Sequence, residues 1–229
     1  MPKITSVEPQ KKSASRRTHR FNVYLDGQFA FGADEDLVVD RRLIVGKEVS
    51  KEELEKLIWE AEVGKLMDRV YVLFDRRARS EKEVRDYLNN LSFKRKVKDQ
   101  DEISDQAIEL VVENLKRKGL LNDLEFAKAW LESRSKKKGI QVIKSELFKK
   151  GISREVIDEV LHWYSEHGAG DSQGQVAEKL LIKRLPRLRM LSEMEQKKKA
   201  YEFLMRRGFD YDLVKSIVEK VLKKEYTSS

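Results

Sequence analysis

The apolar positions follow two regimes, and the break between them lies near residue 50. Before it, short alternating runs predominate. Phe21-Asn22-Val23-Tyr24-Leu25 leads into Asp26-Gly27 and then Gln28-Phe29-Ala30-Phe31. Asp-Gly between two such runs predicts a β-hairpin, because both central residues of a type I′ turn need positive φ. Ile4-Thr5-Ser6-Val7 can pair beside it, and Leu37-Val38-Val39 begins either a short helix or a last strand. Three short strands bury too little to stand alone, so this element should lean on the helices that follow.

After residue 50 the period is helical. Ser50, Ser80 and Ser192 each precede a glutamate by three positions (Glu53, Glu83, Glu195), which is the pattern of a capping box. Buried stripes are predicted at Leu54, Leu57, Ile58 and Ala61, at Val84, Tyr87, Leu88 and Leu91, and at Ile108, Val111, Val112 and Leu115. Another comprises Phe126, Ala127, Trp130 and Leu131, with Asp123 where its N-cap belongs. The charged stretch 93–103 reads as a loop. Trp130, Phe148, Trp163, Tyr201 and Phe203 lie at helical spacing and read as core residues, not base-stacking platforms.

The chain also repeats itself. Leu147, Gly151, Val156 and Val160 fall on Leu204, Gly208, Leu213 and Ile217 at a constant offset of 57. The pattern describes a helix ended by a left-handed glycine, an apolar contact (Ile152, Phe209) and a new helix within about three residues. Leu115, Gly119 and Leu120 repeat the stop, and Glu83-Val84 with Tyr87-Leu88 is a weaker copy. One helical hairpin cannot bury its own stripe, so copies should pack into small bundles in series. The expected fold is mainly α: tandem three-helix units in an extended array, with a small N-terminal β-hairpin element. The expected boundaries are 1–62 for the β element and a linking helix, then units at 63–121, 122–167 and 172–229. The glycine-rich stretch 167–174 separates the last two as a flexible linker.

Composition narrows the function. The 229 residues hold 48 Lys+Arg against 40 Asp+Glu, a net charge of +8. The absence of cysteine removes disulfides, thiolate catalysis and Cys-based zinc sites. Only His19, His162 and His167 could serve a multi-histidine metal site. No apolar run approaches the roughly 18–20 residues of a membrane span, and Met1-Pro2-Lys3 opens no secretory signal. A soluble cytoplasmic chain is expected, most simply a monomer. No catalytic constellation emerges, so no enzyme, cofactor or metal is expected. Asp99, Asp101, Glu102 and Asp105 lack the glycine and final glutamate of a calcium loop and read as a solvated helix start. Ser133-x-x-Lys136 sits in a lysine run and matches a nucleophile pattern by letter only, and Gly168-x-Gly170 has no strand before it. Asp34, Asp36 and Asp40 are explained by a turn followed by a helix cap.

The positive charge is uneven. Residues 1–20 carry six Lys/Arg against one acid, residues 128–150 eight against two, and residues 179–207 ten against three. Such runs are either solvated helix faces or surfaces attracted to a polyanion through counterion release; their concentration favours the second. The candidate contacts are Arg134, Lys136, Lys137, Lys138, Lys144, Lys149 and Lys150, and Arg184, Arg187, Arg189, Lys197, Lys198, Lys199, Arg206 and Arg207. They would meet DNA phosphates or acidic protein surfaces. No recognition-helix or RNP-type motif points to base-specific reading.

Residues 120–134 (Leu120-Leu121-Asn122-Asp123, then Phe126, Ala127, Trp130 and Arg134), followed by Gly139, Ile143, Leu147, Gly151 and Ile152, resemble the central signature of the RecX regulatory family. Residues 74–88, with Phe74, Arg77, Ser80, Val84 and Leu88, resemble the start of its first unit. The hairpin at 21–31 followed by Glu35-Asp36-Leu37 resembles the longer N-terminal region of some members. The likeness spans nearly the whole chain and thins at 172–229, where Leu185-Pro186 and the glycine-rich stretch depart from a compact third unit. The resemblance implies a non-enzymatic modulator that lies in the helical groove of the RecA–DNA filament. It would limit strand exchange, ATP hydrolysis and the coprotease role of RecA, and would also contact single- or double-stranded DNA. The residue-level alternatives are a DNA-binding helical-repeat protein with no RecA link and an adaptor for an acidic partner.

Overall fold

The structure is a computed structural model. It describes residues 1–10, 19–167 and 172–227, with side chains as far as Lys223. Among these residues a three-stranded antiparallel sheet is followed by ten α-helices, and the chain divides into two compact units, 1–122 and 123–229.

The first unit begins with β1 (Ile4–Pro9), β2 (Arg20–Leu25) and β3 (Gln28–Asp34) in the order β1-β2-β3. Val7 pairs with Val23, and Leu25 pairs with Gln28 around the tight turn. Asp26 and Gly27 have φ of +46° and +81°, as a type I′ turn requires. The expected hairpin and its neighbour are therefore present. Leu37-Val38-Val39 belongs to a helix, α1 (Glu35–Asp40), because Asp34 caps it: its carboxylate accepts the Leu37 N–H at 2.8 Å.

The next helix, α2 (Lys51–Phe74), serves two cores. Its first half gives Leu57 and Ala61 to the apolar cluster of the sheet, with Ile4, Val23, Leu25, Phe31 and Ala33. Its second half gives Val63, Leu66, Met67, Val70 and Tyr71 to a second cluster, built with α3 (Glu81–Lys96) and α4 (Asp105–Arg117). A polar lock joins the halves. Arg20, on β2, is buried and donates to Asp68 of α2 at 2.7 Å and to the Gly32 carbonyl at 2.6 Å. Gly64 gives Asp34 room: a Cβ there would stand 2.2 Å from the Asp34 carboxylate. Burial pushes the Asp34 carboxyl above its usual range, while its cap bond and the Arg20 charge work the other way.

Several expectations are corrected. The stretch 93–103 is not all loop, because α3 runs through Lys96 and carries Lys94, Arg95 and Lys96 in its last turn, where cations suit the helix dipole. Ile58 faces solvent although it was placed in the α2 stripe. The Ser80 and Ser192 boxes close from both sides. At Ser50 only the hydroxyl bond to the Glu53 N–H forms, and Glu53 pairs with Lys47 instead.

The second unit holds α5 (Asp123–Ser135), α6 (Ile140–Lys149), α7 (Arg154–His167), α8 (Gln173–Arg184), a 3₁₀ turn (Leu185–Arg187), α9 (Glu193–Arg206) and α10 (Tyr211–Thr227). Asp123 is the first residue of α5, so it lies within the first turn, where its negative charge suits the helix dipole. Phe126, Ala127, Leu131, Ile143, Leu147, Ile157 and Val160 form one core; Val176, Ala177, Leu181, Ala200, Leu204, Val214 and Val218 form another. Gly119, Gly151 and Gly208 all have positive φ, as the stop pattern predicts. Of the predicted linker, 168–171 lie outside the described residues. Ser172 and Gln175 form a reciprocal capping box, so Gln173 and Gly174 are helical.

Candidate nucleic-acid interface

Gly139 begins α6 without a side chain to cap it. The helix start must still satisfy its free N–H groups, and it finds carbonyls 68 or so residues away. Gly139 N–H donates to the Arg207 carbonyl at 2.8 Å, and Gln141 N–H donates to the Gly208 carbonyl at 3.2 Å. The turn that ends α9 therefore caps α6, with the negative end of one helix against the positive end of the other. The Arg207 guanidinium closes the seam by donating to the Lys137 carbonyl at 2.8 Å. A Cβ on Gly139 would stand 2.1 Å from the Gly208 oxygen, and one on Gly208 would stand 2.5 Å from Val142. Only glycines allow this approach. Through it the lysine loop 136–138 meets Arg207, so the two basic runs of the second unit come together.

On either side of the seam two cations attend one aromatic ring. The Arg134 guanidinium lies 4.5 Å from the centre of the Trp130 ring, and the Lys150 ammonium lies 4.4 Å from it. Beyond the seam, Arg184 lies 5.7 Å and Arg207 4.8 Å from the centre of the Phe203 ring. Each contact is worth about 0.5–1 kcal/mol at an exposed site. Trp130 is further held by stacking on Phe126, with ring centres 5.7 Å apart, and by its Nε1–H, which donates to Glu146 at 3.0 Å. Lys138 also pairs with Glu146. Burial would raise the Glu146 carboxyl, but bonds from Lys138 and Trp130 and the nearby positive charges outweigh it and hold the group below the usual carboxylate range.

The predicted contact residues divide accordingly. Lys136, Lys149, Arg187, Lys197 and Lys198 are exposed and make no ion pair among the described residues. Lys137, Arg189 and Arg206 are exposed as well. Lys199 is exposed but pairs with Glu202 at 3.4 Å. Arg134, Lys138, Lys144, Lys150, Arg184 and Arg207 were expected to be exposed and are instead half-buried. In Arg134, Lys150, Arg184 and Arg207 the charged head lies over a ring. Arg20, part of the N-terminal basic run, is buried in its ion pair and cannot contribute; Lys11, Lys12, Arg16 and Arg17 lie outside the described residues. The aromatic reading also needs correction. Phe148 is exposed, because it falls opposite the Leu147 stripe, and Trp130 and Phe203 are half-buried platforms for cations. The signal that could have revealed them is a ring placed near Arg or Lys at both helix ends. Asp34 caps α1, and the described residues contain no group of three or more His, Cys, Asp or Glu that could hold a metal ion. No described helix is long and apolar enough to cross a membrane.

Comparison with known proteins places this arrangement. The family models of the RecX N-terminal domain, second three-helix domain and third three-helix domain match residues 2–50, 122–161 and 171–218. The regulatory protein RecX of Bacillus velezensis is 35% identical over 222 residues, covering 96% of this chain and 78% of the relative. This chain belongs to the RecX family. RecX of Bacillus subtilis is 34% identical with the same coverage, and that of Clostridium perfringens is 29% identical over 99% of both chains. A crystal structure titled regulatory protein RecX shares the fold, with a TM-score of 0.67 over 96% of this chain and 100% of that one, at 24% identity. RecX is a family of regulatory proteins, not of enzymes. The Trp130 group lies inside the segment matched to the second RecX domain, and the Phe203 group lies inside the segment matched to the third.

Proposed function

We propose that this RecX chain is a non-enzymatic regulator that binds the RecA–DNA filament in its helical groove and modulates the recombinase, ATPase and coprotease activities of RecA. The N-terminal element and the helical packets 63–121, 122–167 and 172–229 are its building blocks. One observation supports the reading above others: in a chain of a regulatory family, two basic runs separated in sequence meet at a single seam. Such a surface is drawn to phosphates and to acidic protein faces through counterion release and long-range attraction. The candidate contacts are the fifteen cations of residues 134–150 and 184–207, led by those that make no ion pair. A steady-state assay of RecA ATPase on single-stranded DNA, with this protein added from substoichiometric to equimolar amounts, tests it. Lower turnover or altered filament lifetime is the expected result. An unchanged rate together with salt-steep binding to naked DNA would replace the reading with that of a DNA-binding protein without a RecA link.

A further inference from the structure

The outer face of α6 has a composition of its own. At 100° per residue, Lys144, Phe148, Gln141, Ser145 and Lys149 share an arc of about 140°, opposite the buried Ile143 and Leu147. The Phe148 ring, near the middle of that arc, is 50% exposed. Lys149 is exposed and Lys144 half-buried, and neither makes an ion pair among the described residues. Gln141 and Ser145 add two free hydrogen-bonding side chains. The one acid of the helix, Glu146, lies outside the arc, where Trp130 and Lys138 hold it.

Single exposed apolar side chains are ordinary on protein surfaces, so the exposure of Phe148 carries nothing by itself. The surroundings carry the argument, and the equivalent helices of the repeat give the contrast. At an offset of 32, α4 has Glu109 and Glu113 where α6 has Gln141 and Ser145. In place of the ring α4 has Lys116, which pairs with Glu81 at 2.6 Å. At an offset of 57, α9 has Met205 in place of the ring and Glu202 in place of Ser145. Of the three, only α6 joins an exposed ring to an arc without a carboxylate.

An aromatic face among unpaired cations suits a strand whose bases are free to unstack. Every base has a π face that can lie on a ring, and its phosphates fall to either side. Because Lys144 and Lys149 have no acid to give up, a phosphate displaces no existing pair. The start of α6 is fixed as well. The Gly139 and Gln141 amides bond to the Arg207 and Gly208 carbonyls, so the face begins at the seam beside Lys136–Lys138. From Gln141 to Phe148 is about 10 Å along the helix axis.

We infer that the outer face of α6 is a platform for single-stranded nucleic acid: an unpaired base stacks on Phe148, and Lys144 and Lys149 take the flanking phosphates. This deepens the proposed function and rests on it.

The test is fluorescence anisotropy of the full chain with labelled oligo-dT of about 20 nucleotides, between about 50 and 200 mM salt, beside a duplex of the same length and a RecA–DNA filament. Phe148→Ala and Phe148→Leu should each weaken binding to the single strand about five- to twentyfold at every salt concentration, leaving the salt slope unchanged. Phe148→Tyr keeps the π face and should bind within about twofold of the parent. Lys149→Gln should lower the slope by about 0.7. Duplex binding should change less than about twofold in Phe148→Leu, because paired bases are already stacked. Circular dichroism establishes that each variant is folded; should Phe148→Ala fail that control, Phe148→Leu and Phe148→Tyr carry the comparison. If Phe148→Leu binds oligo-dT as the parent does, or loses duplex binding equally, the platform is refuted and the proposed function stands. The same holds if the parent binds the filament but no free strand, or if Phe148→Leu weakens binding to the filament alone, since protein then covers the ring. If the parent binds neither strand nor filament, the proposed function falls and the platform with it.

Discussion

Gly139→Ala isolates the seam from every other effect. Gly139 has φ of −75° and ψ of 158°, a conformation alanine adopts freely, so the substitution adds no backbone strain. What it adds is a methyl group 2.1 Å from the Gly208 oxygen, 2.2 Å from its carbon and 2.3 Å from the Phe209 nitrogen. All three are backbone atoms and cannot rotate away, so the α6 start and the α9–α10 turn must part. Parting breaks the Gly139 and Gln141 amide bonds, each worth about 1 kcal/mol net. It also breaks the charged Arg207 bond to the Lys137 carbonyl, worth about 1.5–3 kcal/mol. Partial relaxation will recover some of this, and a loss of about 2–4 kcal/mol is expected. Urea denaturation measures it, and amide hydrogen exchange at residues 139 and 141 localises it. Gly119→Ala is the reference: φ there is +68° but nothing lies within 4 Å of the added methyl, so only about 1 kcal/mol of strain is expected. If Gly139→Ala costs no more than Gly119→Ala, or if the amides of 139 and 141 stay protected, the seam is not what holds the two packets together.

Three further outcomes follow from the same contacts. Asp68→Ala removes the carboxylate bonded to the buried Arg20 and leaves it the Gly32 carbonyl and the nearby Asp34 charge; breaking a buried pair costs up to about 3–5 kcal/mol, read as an early loss of the first unit in a thermal melt. Ser80→Ala removes a buried, reciprocal cap from α3 and should cost about 0.5–2 kcal/mol in urea denaturation. Glu146 is held below the usual carboxylate range when folded, so its contribution is present above the unfolded pKa of about 4.3 and is lost as the pH falls through the folded value. The melting-temperature gap between the parent and Glu146→Gln should therefore be largest near neutrality and narrow between about pH 5 and pH 3; a constant gap would contradict the bonding described.

Local signals carried much of the fold. Asp26-Gly27 announces its own turn because few other pairs tolerate two positive φ values. The glycine stops at 119, 151 and 208 are legible for the same reason. Stripes such as Val84–Leu88 and Ile108–Leu115 are legible because a helix must bury one face. What escaped depends on residues far apart in the chain. The end of α3 was obscured because Phe93 and Lys94-Arg95-Lys96 read as polar chain, although cations belong in a last helical turn. Gly139 stands in the sequence as one residue of the RecX-like signature, and nothing local says that the cap of α6 arrives from Arg207 and Gly208. Arg20 appeared to be one more cation of a basic tail until Asp68, 48 residues on, came to meet it. Trp130 and Phe203 sit at core spacing, and only the folded chain shows Arg134, Lys150, Arg184 and Arg207 gathered on their faces. The candidate site was thus visible as a set of charges but not as an arrangement.

The dual duty of α2 has its own consequence. Its 24 residues reach about 36 Å, and they belong half to the sheet and half to the packet of α3 and α4. Neither neighbour can melt without stripping a side of the same rod, and the Arg20–Asp68 pair rivets the midpoint. The N-terminal sheet is therefore no detachable appendage: damage to a strand near residue 20 is felt as far along as Leu115, and truncations that spare the helices while removing the strands should leave a frayed stump instead of a smaller working protein.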